Sequence, residues 1–170
     1  MNTGQSLLSI GALLLLSLTI LRVNNSILTT DTVMQDSKFG ILATSIATSL
    51  IEKASKKAFD ANTFGNAVSS LSALTPASGL GLGSGESAPD SCNDFDDFDG
   101  YTAQITNLPS AVFNVSCQVC YVNPTDPDGK LNTQSWHKKM TVTVSSPNIG
   151  NEERTDTIRL STIYSYWHFR

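Results

Sequence analysis

The sequence predicts an α+β protein. A long N-terminal helix, hydrophobic in its first half and amphipathic in its second, packs on a C-terminal antiparallel sheet of about four strands. Three observations carry this reading. Residues 7–21 form an uncharged apolar run, no proline occurs before Pro76, and residues 101–170 contain several stretches of alternating apolar and polar side chains separated by turn-forming residues. At 170 residues the chain has room for one domain with a core of ordinary size.

The apolar run reads LLSIGALLLLSLTIL from Leu7 to Leu21, with Ser and Thr as its only polar members. At about 1.5 Å per residue it covers roughly 22 Å, against the ~30 Å of a bilayer core. That length would suit the core of a secretion signal. However, residues 1–6 hold no Lys or Arg, no small-x-small cleavage site follows, and helical patterning continues past Arg22. A run this apolar on every face also suits a small soluble domain poorly. We therefore expect a membrane anchor, with residues 5–25 as the hydrophobic helix.

The amphipathic continuation occupies residues 26–60. Phe39, Leu42, Ile46 and Leu50 recur at spacings of three and four, so they share a face, while Ser45, Ser49, Glu52, Lys53, Lys56 and Lys57 fall mostly elsewhere. One helix from Leu7 to Phe59 and two helices broken near Asn24-Asn25 or Gly40 both satisfy the pattern. Residues 61–100 form a connecting region. Phe64–Leu74 reads as a short helix or loop, and ASGLGLGSGESAP (Ala77–Pro89) as a Gly/Ser linker.

After that linker, DSCNDFDDFDG (Asp90–Gly100) gathers five aspartates around Phe95 and Phe98. Asp94, Asp96, Asp97 and Asp99 are weak calcium candidates, because hard cations take oxygen ligands. The order of an EF-hand loop fails, since Phe95 stands where an acidic ligand is required. The favoured expectation is a solvated acidic loop with two Phe anchors and no metal.

Strands are expected at Tyr101–Asn107, Ala111–Val122, Lys139–Ser145 and Thr157–Trp167. In the second, Phe113, Val115, Cys117 and Val119 alternate with Val112, Asn114, Ser116 and Gln118. In the third, Met140, Val142 and Val144 share a face. In the last, Ile158, Leu160, Thr162 and Tyr164 oppose Arg159, Ser161, Ile163 and Ser165. Asn123–Gly129 and Pro147–Gly150 read as turns. Short turns between four strands imply an antiparallel meander, and residues 26–170 together make one exported globular domain.

Several function classes fit badly. A net charge of −4 without a basic stripe argues against nucleic acid. His137 and His168 lie in no nucleophile or metal motif, and no glycine-rich phosphate loop follows a strand, so neither an enzyme nor a cofactor is expected. Cys117 and Cys120 have the CxxC spacing, but residues i and i+3 of a strand point to opposite faces. A disulfide from Cys92 to Cys117 or Cys120 would pin the acidic segment to the sheet.

The order of features resembles that of type IV pilins and pseudopilins, and specific stretches sharpen the likeness. Thr3-Gly4-Gln5-Ser6-Leu7-Leu8 is similar to the prepilin processing region, where cleavage follows a glycine. ATSIATSLIEKASKKAF (Ala43–Phe59) resembles a minor-pilin segment in which an A-x-x-L-x-E pattern precedes a Phe. DFDDFDGY (Asp94–Tyr101) resembles the acidic loop of minor pilins such as those of the mannose-sensitive haemagglutinin system. Lys139–Ser146 and Thr157–Tyr164 resemble their final two strands.

The resemblance implies a structural, non-enzymatic subunit, with residues 1–4 as a short leader and processing between Gly4 and Gln5. It would be held in the cytoplasmic membrane by a single pass with its C-terminal domain extracytoplasmic. Its partners would be other pilin-like subunits and their assembly machinery. Leu7, Leu8, Ser9, Gly11, Ala12, Leu14 and Leu18 would form the assembly helix, with Gly11 and Ala12 allowing close approach. Two positions depart from the family's pattern: residues 1–4 carry no basic residue, and Ser9 stands at the fifth mature position, where pilins place Glu. Some tip-located pseudopilins share the second departure, which implies a minor role. The alternative, from another class, is a membrane-tethered extracytoplasmic binding domain without a filament.

Overall fold

The computed structural model describes residues 2–86, 89–108, 111–146 and 157–166. The expected turn at Pro147–Gly150 lies outside the described residues, as do Trp167 and His168. The chain divides into two compact units, Met1–Lys38 and Phe39–Arg170.

Helix α1 runs over Thr3–Ser55 as one helix, through Asn24-Asn25 and through Gly40, so the two-helix alternative falls. In the second unit it buries Phe39, Ala43, Ala47, Leu50 and Ala54, with Leu42 and Ile46 half-buried beside them. The expected face is right, but alanines form its centre. Their small side chains let the helix backbone lie close to what it covers.

The helix stops short of the expected boundary near residue 60. Lys57 N–H turns back to Ala54 O, and Ala58 then forms a parallel bridge with Asp94 through Phe95 N–H to Ala58 O at 2.8 Å. That pairing takes residues 56–59 out of helical geometry.

Five strands follow, one more than expected: β1 (Thr102–Ile105), β2 (Phe113–Asn123), β3 (Asp126–Leu131), β4 (His137–Ser145) and β5 (Thr157–Ser165), all antiparallel in one sheet. The extra strand β3 lies partly in the stretch read as a turn. A two-residue turn at Pro124-Thr125 closes a hairpin, and Pro127 is tolerated because β3 lies at an edge. The sheet is also not a simple meander. Its order is β1-β2-β4-β5, with β3 pairing the end of β2. β2 outruns the short β1, and β3 takes the part of that edge left open.

Register follows the alternation in the sequence. Cys117 opposes Val142, which opposes Leu160. Phe113, Val115, Cys117, Val119, Met140, Val142 and Val144 all point into the core that α1 covers, together with Phe95 and Phe98. A second cluster of Phe59, Leu74 and Tyr121 takes Leu80, Trp136 and Tyr166 against it. Tyr164 joins the two, with ring centroids 4.9 Å from Phe95 and 5.9 Å from Phe59.

The connecting region is built into the same unit. It forms 3-10 turns at Ala61–Thr63, Leu71–Ala73 and Ala77–Gly79, and Ala77 and Leu80 pack on the second cluster. The start of the stretch expected as a linker is therefore anchored.

Candidate functional site

Two features stand out, one in each unit. In the first, α1 is long and apolar enough to cross a membrane, and its most apolar window has no burial within the structure. Gly4 and Gln5 sit in the first helical turn, where Gln5 N–H donates to Asn2 O. Leu7, Gly11, Leu14 and Leu18 fall on one face at spacings of four, three and four; Leu8 and Ala12 lie to one side of it and Ser9 on the opposite face.

A second stripe was not anticipated. Leu13, Leu16, Ile20, Val23, Ile27, Thr30 and Met34 follow one another at strictly alternating spacings of three and four. Every apolar member is more than half exposed. A 3-4 repeat is the seam of a helix that packs against another helix. From Leu13 to Met34 the seam covers about 32 Å at 1.5 Å per residue. Its last members, Val23, Ile27 and Met34, lie beyond Arg22, among Asn24, Asn25, Asp31 and Asp36. The signal was in the sequence; the continuous apolarity of residues 7–21 masked it, because a run that is apolar all round shows no period.

The helix also satisfies its own hydroxyls. Ser9, Ser17, Thr19, Thr29, Thr30 and Thr32 each donate to the carbonyl four residues earlier, at 2.8–3.0 Å.

In the second unit, the acidic segment is not solvated. Asp94, Asp96 and Asp97 are each about 2 % exposed, whereas the two Phe anchors, Phe95 and Phe98, are buried as expected. Two of the carboxylates cap their own backbone. Asp94 Oδ1 accepts from the N–H groups of Asp96 and Asp97, and Asp97 Oδ2 from those of Asn93 and Asp94. Asp99 Oδ1 accepts from Val119 N–H at 2.7 Å. The four calcium candidates thus turn to different partners, and among the described residues no group of three or more His, Cys, Asp or Glu side chains is placed to hold a metal ion.

What compensates this buried charge is Lys138, itself fully buried. Its Nζ donates to Phe59 O at 2.8 Å, Asp60 Oδ2 at 2.8 Å and Asp96 Oδ1 at 2.5 Å, and lies 4.5 Å from the centre of the Phe59 ring. Asp60 is equally enclosed. Oδ1 accepts from Asn62 N–H and Thr75 Oγ1, and Oδ2 from Thr75 N–H, the Tyr121 hydroxyl and Lys138. Burial pushes the Asp60 carboxyl up, but the charge and hydrogen bond of Lys138 and the Thr75 and Asn62 amides outweigh it, so the group titrates below its ordinary range. Asp94 goes the other way. Burial, then the charge and hydrogen bond of Asp96 and the charge of Asp97, push it up to about 8, so it carries a proton at neutral pH. Asp96 is raised as well, burial outweighing the pull of Lys138.

The sequence held the signal for this cluster. Lys138 has the same parity as Met140, Val142 and Val144, which places it on the core face of β4. Starting that strand at Lys139 hid it.

The three cysteines are free thiols. Cys117 points into the main core with Cys92, while Cys120 lies on the other face of β2, as the spacing argument requires. Burial pushes the Cys92 thiol up to about 11 and that of Cys117 to about 12. Cross-strand pairing brings His137 Nδ1 within 2.7 Å of Ser165 Oγ. The outer face of the sheet is polar: Ser116, Gln118, Thr141, Thr143, Arg159 and Ser161 line a shallow hollow of about 880 Å³.

No family model, curated protein or solved structure matches this chain.

Proposed function

We propose that this chain is a structural subunit, of the minor pilin-like kind, of a type IV pilus or secretion-type filament. Its hydrophobic helix holds it in the cytoplasmic membrane by a single pass until it packs against equivalent helices of neighbouring subunits. The second unit is extracytoplasmic and becomes part of the filament's exposed surface. Other pilin-like subunits and the assembly machinery are its partners, and its role is assembly, not catalysis.

The seam from Leu13 to Met34 carries this reading. A bilayer accounts for the apolarity of residues 7–21 but gives no reason for Val23, Ile27 and Met34 to continue the same 3-4 repeat beyond Arg22, where Leu28 and Val33 flank the stripe and most other neighbours are polar. A partner helix accounts for both. The α+β layout, with the second half of the helix on an antiparallel sheet, is compatible with the same assignment.

The test is a photo-crosslinking amino acid placed at Ile27 on the seam, or at Thr32 on the other side of the helix, in cells and in sheared surface material. Crosslinks from position 27 to a pilin-like subunit, with few from position 32, are expected. A tethered binding domain without a filament would give none from either position. The mass of the N-terminal peptide checks the same point independently. A start at Gln5 in sheared material supports the subunit; an intact Met1 confined to membranes favours the tethered domain.

A further inference from the structure

We propose that Lys138 and Asp96 are the two ends of an intramolecular amide, formed by condensation of the lysine Nζ with the Asp96 Cγ carboxyl. This assignment does not rest on the filament reading, since every group it uses lies in the second unit.

Proximity comes first. Nζ and Asp96 Oδ1 are 2.5 Å apart, both side chains are almost wholly out of water, and the residues are 42 positions apart in sequence. Holding an amine against a carboxyl in a closed, dry pocket supplies what the same pair lacks in solution: a fixed approach, and an environment without the bulk water that hydrolyses the product. The Phe59 and Tyr121 rings wall this pocket, their centres 4.5 Å and 5.2 Å from Nζ.

The two carboxyls touching Nζ are not equivalent, and the difference selects the electrophile. Asp60 accepts hydrogen bonds from the Asn62 and Thr75 amides and the Thr75 hydroxyl besides Lys138, with the Tyr121 hydroxyl shared between it and Thr75 O, which is the environment of a stabilised anion and a poor acceptor of a nucleophile. Asp96 meets Lys138 on one side, and its own N–H donates to Asp94 Oδ1 at 2.9 Å, so the Asp94 carboxyl, held protonated by burial and by the charge of Asp96, lies beside it. The cluster therefore holds an amine, its electrophile, a fixed anion beside the amine and a proton donor beside the electrophile.

The step balances within these groups. Asp60 accepts a proton from the Lys138 ammonium, and the freed amine attacks Cγ of Asp96, forming the C–N bond. The C–O bond breaks as Asp94 and then Asp60 deliver protons to the departing oxygen, which leaves as one water. The second proton lost by nitrogen returns to Asp94. Asp60 and Asp94 end as they began, and no oxidant, reductant or further reactant enters.

The experiment is intact-mass measurement of the full chain purified in detergent, followed by proteolysis and fragmentation. The expected mass is one water below that of the polypeptide, with a branched peptide joining Lys138 to Asp96. Lys138→Arg keeps a cation in the pocket but cannot condense, and Asp94→Asn keeps the shape but cannot relay a proton. Both should recover the full mass, with folding checked by near-ultraviolet circular dichroism. A wild-type chain of full mass, with the two peptides separate, overturns the proposal. So does a water loss that survives Lys138→Arg, which would mark a cyclised aspartate, or a branch that maps to Asp60.

Discussion

Replacing Lys138 by Met removes the one cation that, among the described residues, faces the buried carboxylates of Asp60 and Asp96, and with it the nitrogen of the proposed amide, while keeping most of the side-chain volume. Breaking the ion pair has a cost of its own, and loss of the amide link adds to it. Asp60 then keeps its Thr75, Asn62 and Tyr121 donors, but its charge, and that of Asp96 when ionised, sit in the core without a counter-ion. Breaking a buried pair by deleting one partner costs about 3–5 kcal/mol, because the penalty is the orphaned charge and not merely the lost contact. For a cooperative unit of the size of Phe39–Arg170, an unfolding entropy of about 2 cal/mol/K per residue converts this into a melting point lower by roughly 10–18 °C. Thermal unfolding of the full chain in detergent at pH 7, followed by near-ultraviolet circular dichroism, measures it. The triple variant Lys138→Met, Asp60→Leu, Asp96→Leu removes the three charges together and should recover much of the loss. A single variant that melts within about 3 °C of the parent would refute the reasoning, since an uncompensated charge cannot be that cheap in a closed core.

Three further outcomes are expected. The second unit should be more stable at pH 5 than at pH 8.5. Asp94 is raised to about 8, so between its unfolded value of 3.8 and 8 the native state holds a proton that the unfolded chain has released, and stability falls as pH rises, by on the order of 1 kcal/mol per unit. Burial is the first cause of that shift, so the direction holds whether or not Asp96 is bonded to Lys138. Asp94→Asn should flatten the slope in a pH series of denaturant melts, while the lowered carboxyl of Asp60 should cost stability only on acidification below its ordinary range. Leu14→Arg should reduce membrane retention, since a cation near the centre of a spanning helix costs ~2.5–3.5 kcal/mol on insertion scales, and should leave the second unit folded; fractionation and proteolysis read both. Iodoacetamide at pH 8 should leave Cys92 and Cys117 almost untouched in the native chain and label them after denaturation, because burial holds both thiols protonated and covered.

Much of the fold was legible because the sheet follows its alternation. Met140, Val142 and Val144 on one face, and Arg159 and Ser161 on the other, are dictated by a period of two that needs no tertiary information. The boundaries that differed were decided by partners distant in sequence. α1 ends at Ser55 because Ala58 pairs with Asp94, and no local feature of residues 56–59 announces a bridge to a segment more than thirty residues on. β3 was hidden because Asp126, Pro127, Asp128 and Gly129 read as turn residues, although an edge strand tolerates them. The buried cluster was half legible. Five aspartates in eleven residues read as a solvated loop on composition, since burial of such charge is rare without compensation. The compensating cation lies on another strand, and only its parity with Met140 gave it away.

The hydroxyl-to-carbonyl bonds along the first unit bear on how easily that segment can change surroundings. From Ser9 to Thr32 these Ser and Thr protons are already committed within the helix. For these six side chains, the move from lipid to a protein neighbour that the proposed assembly requires would break no hydrogen bond to solvent and would need none formed with the new partner. These six hydroxyls carry their polarity as closed internal loops, so the polarity that the surroundings must meet is concentrated in Arg22, the 24–26 run and Asp31. Hydroxyls of that kind can be transferred without first being dehydrated.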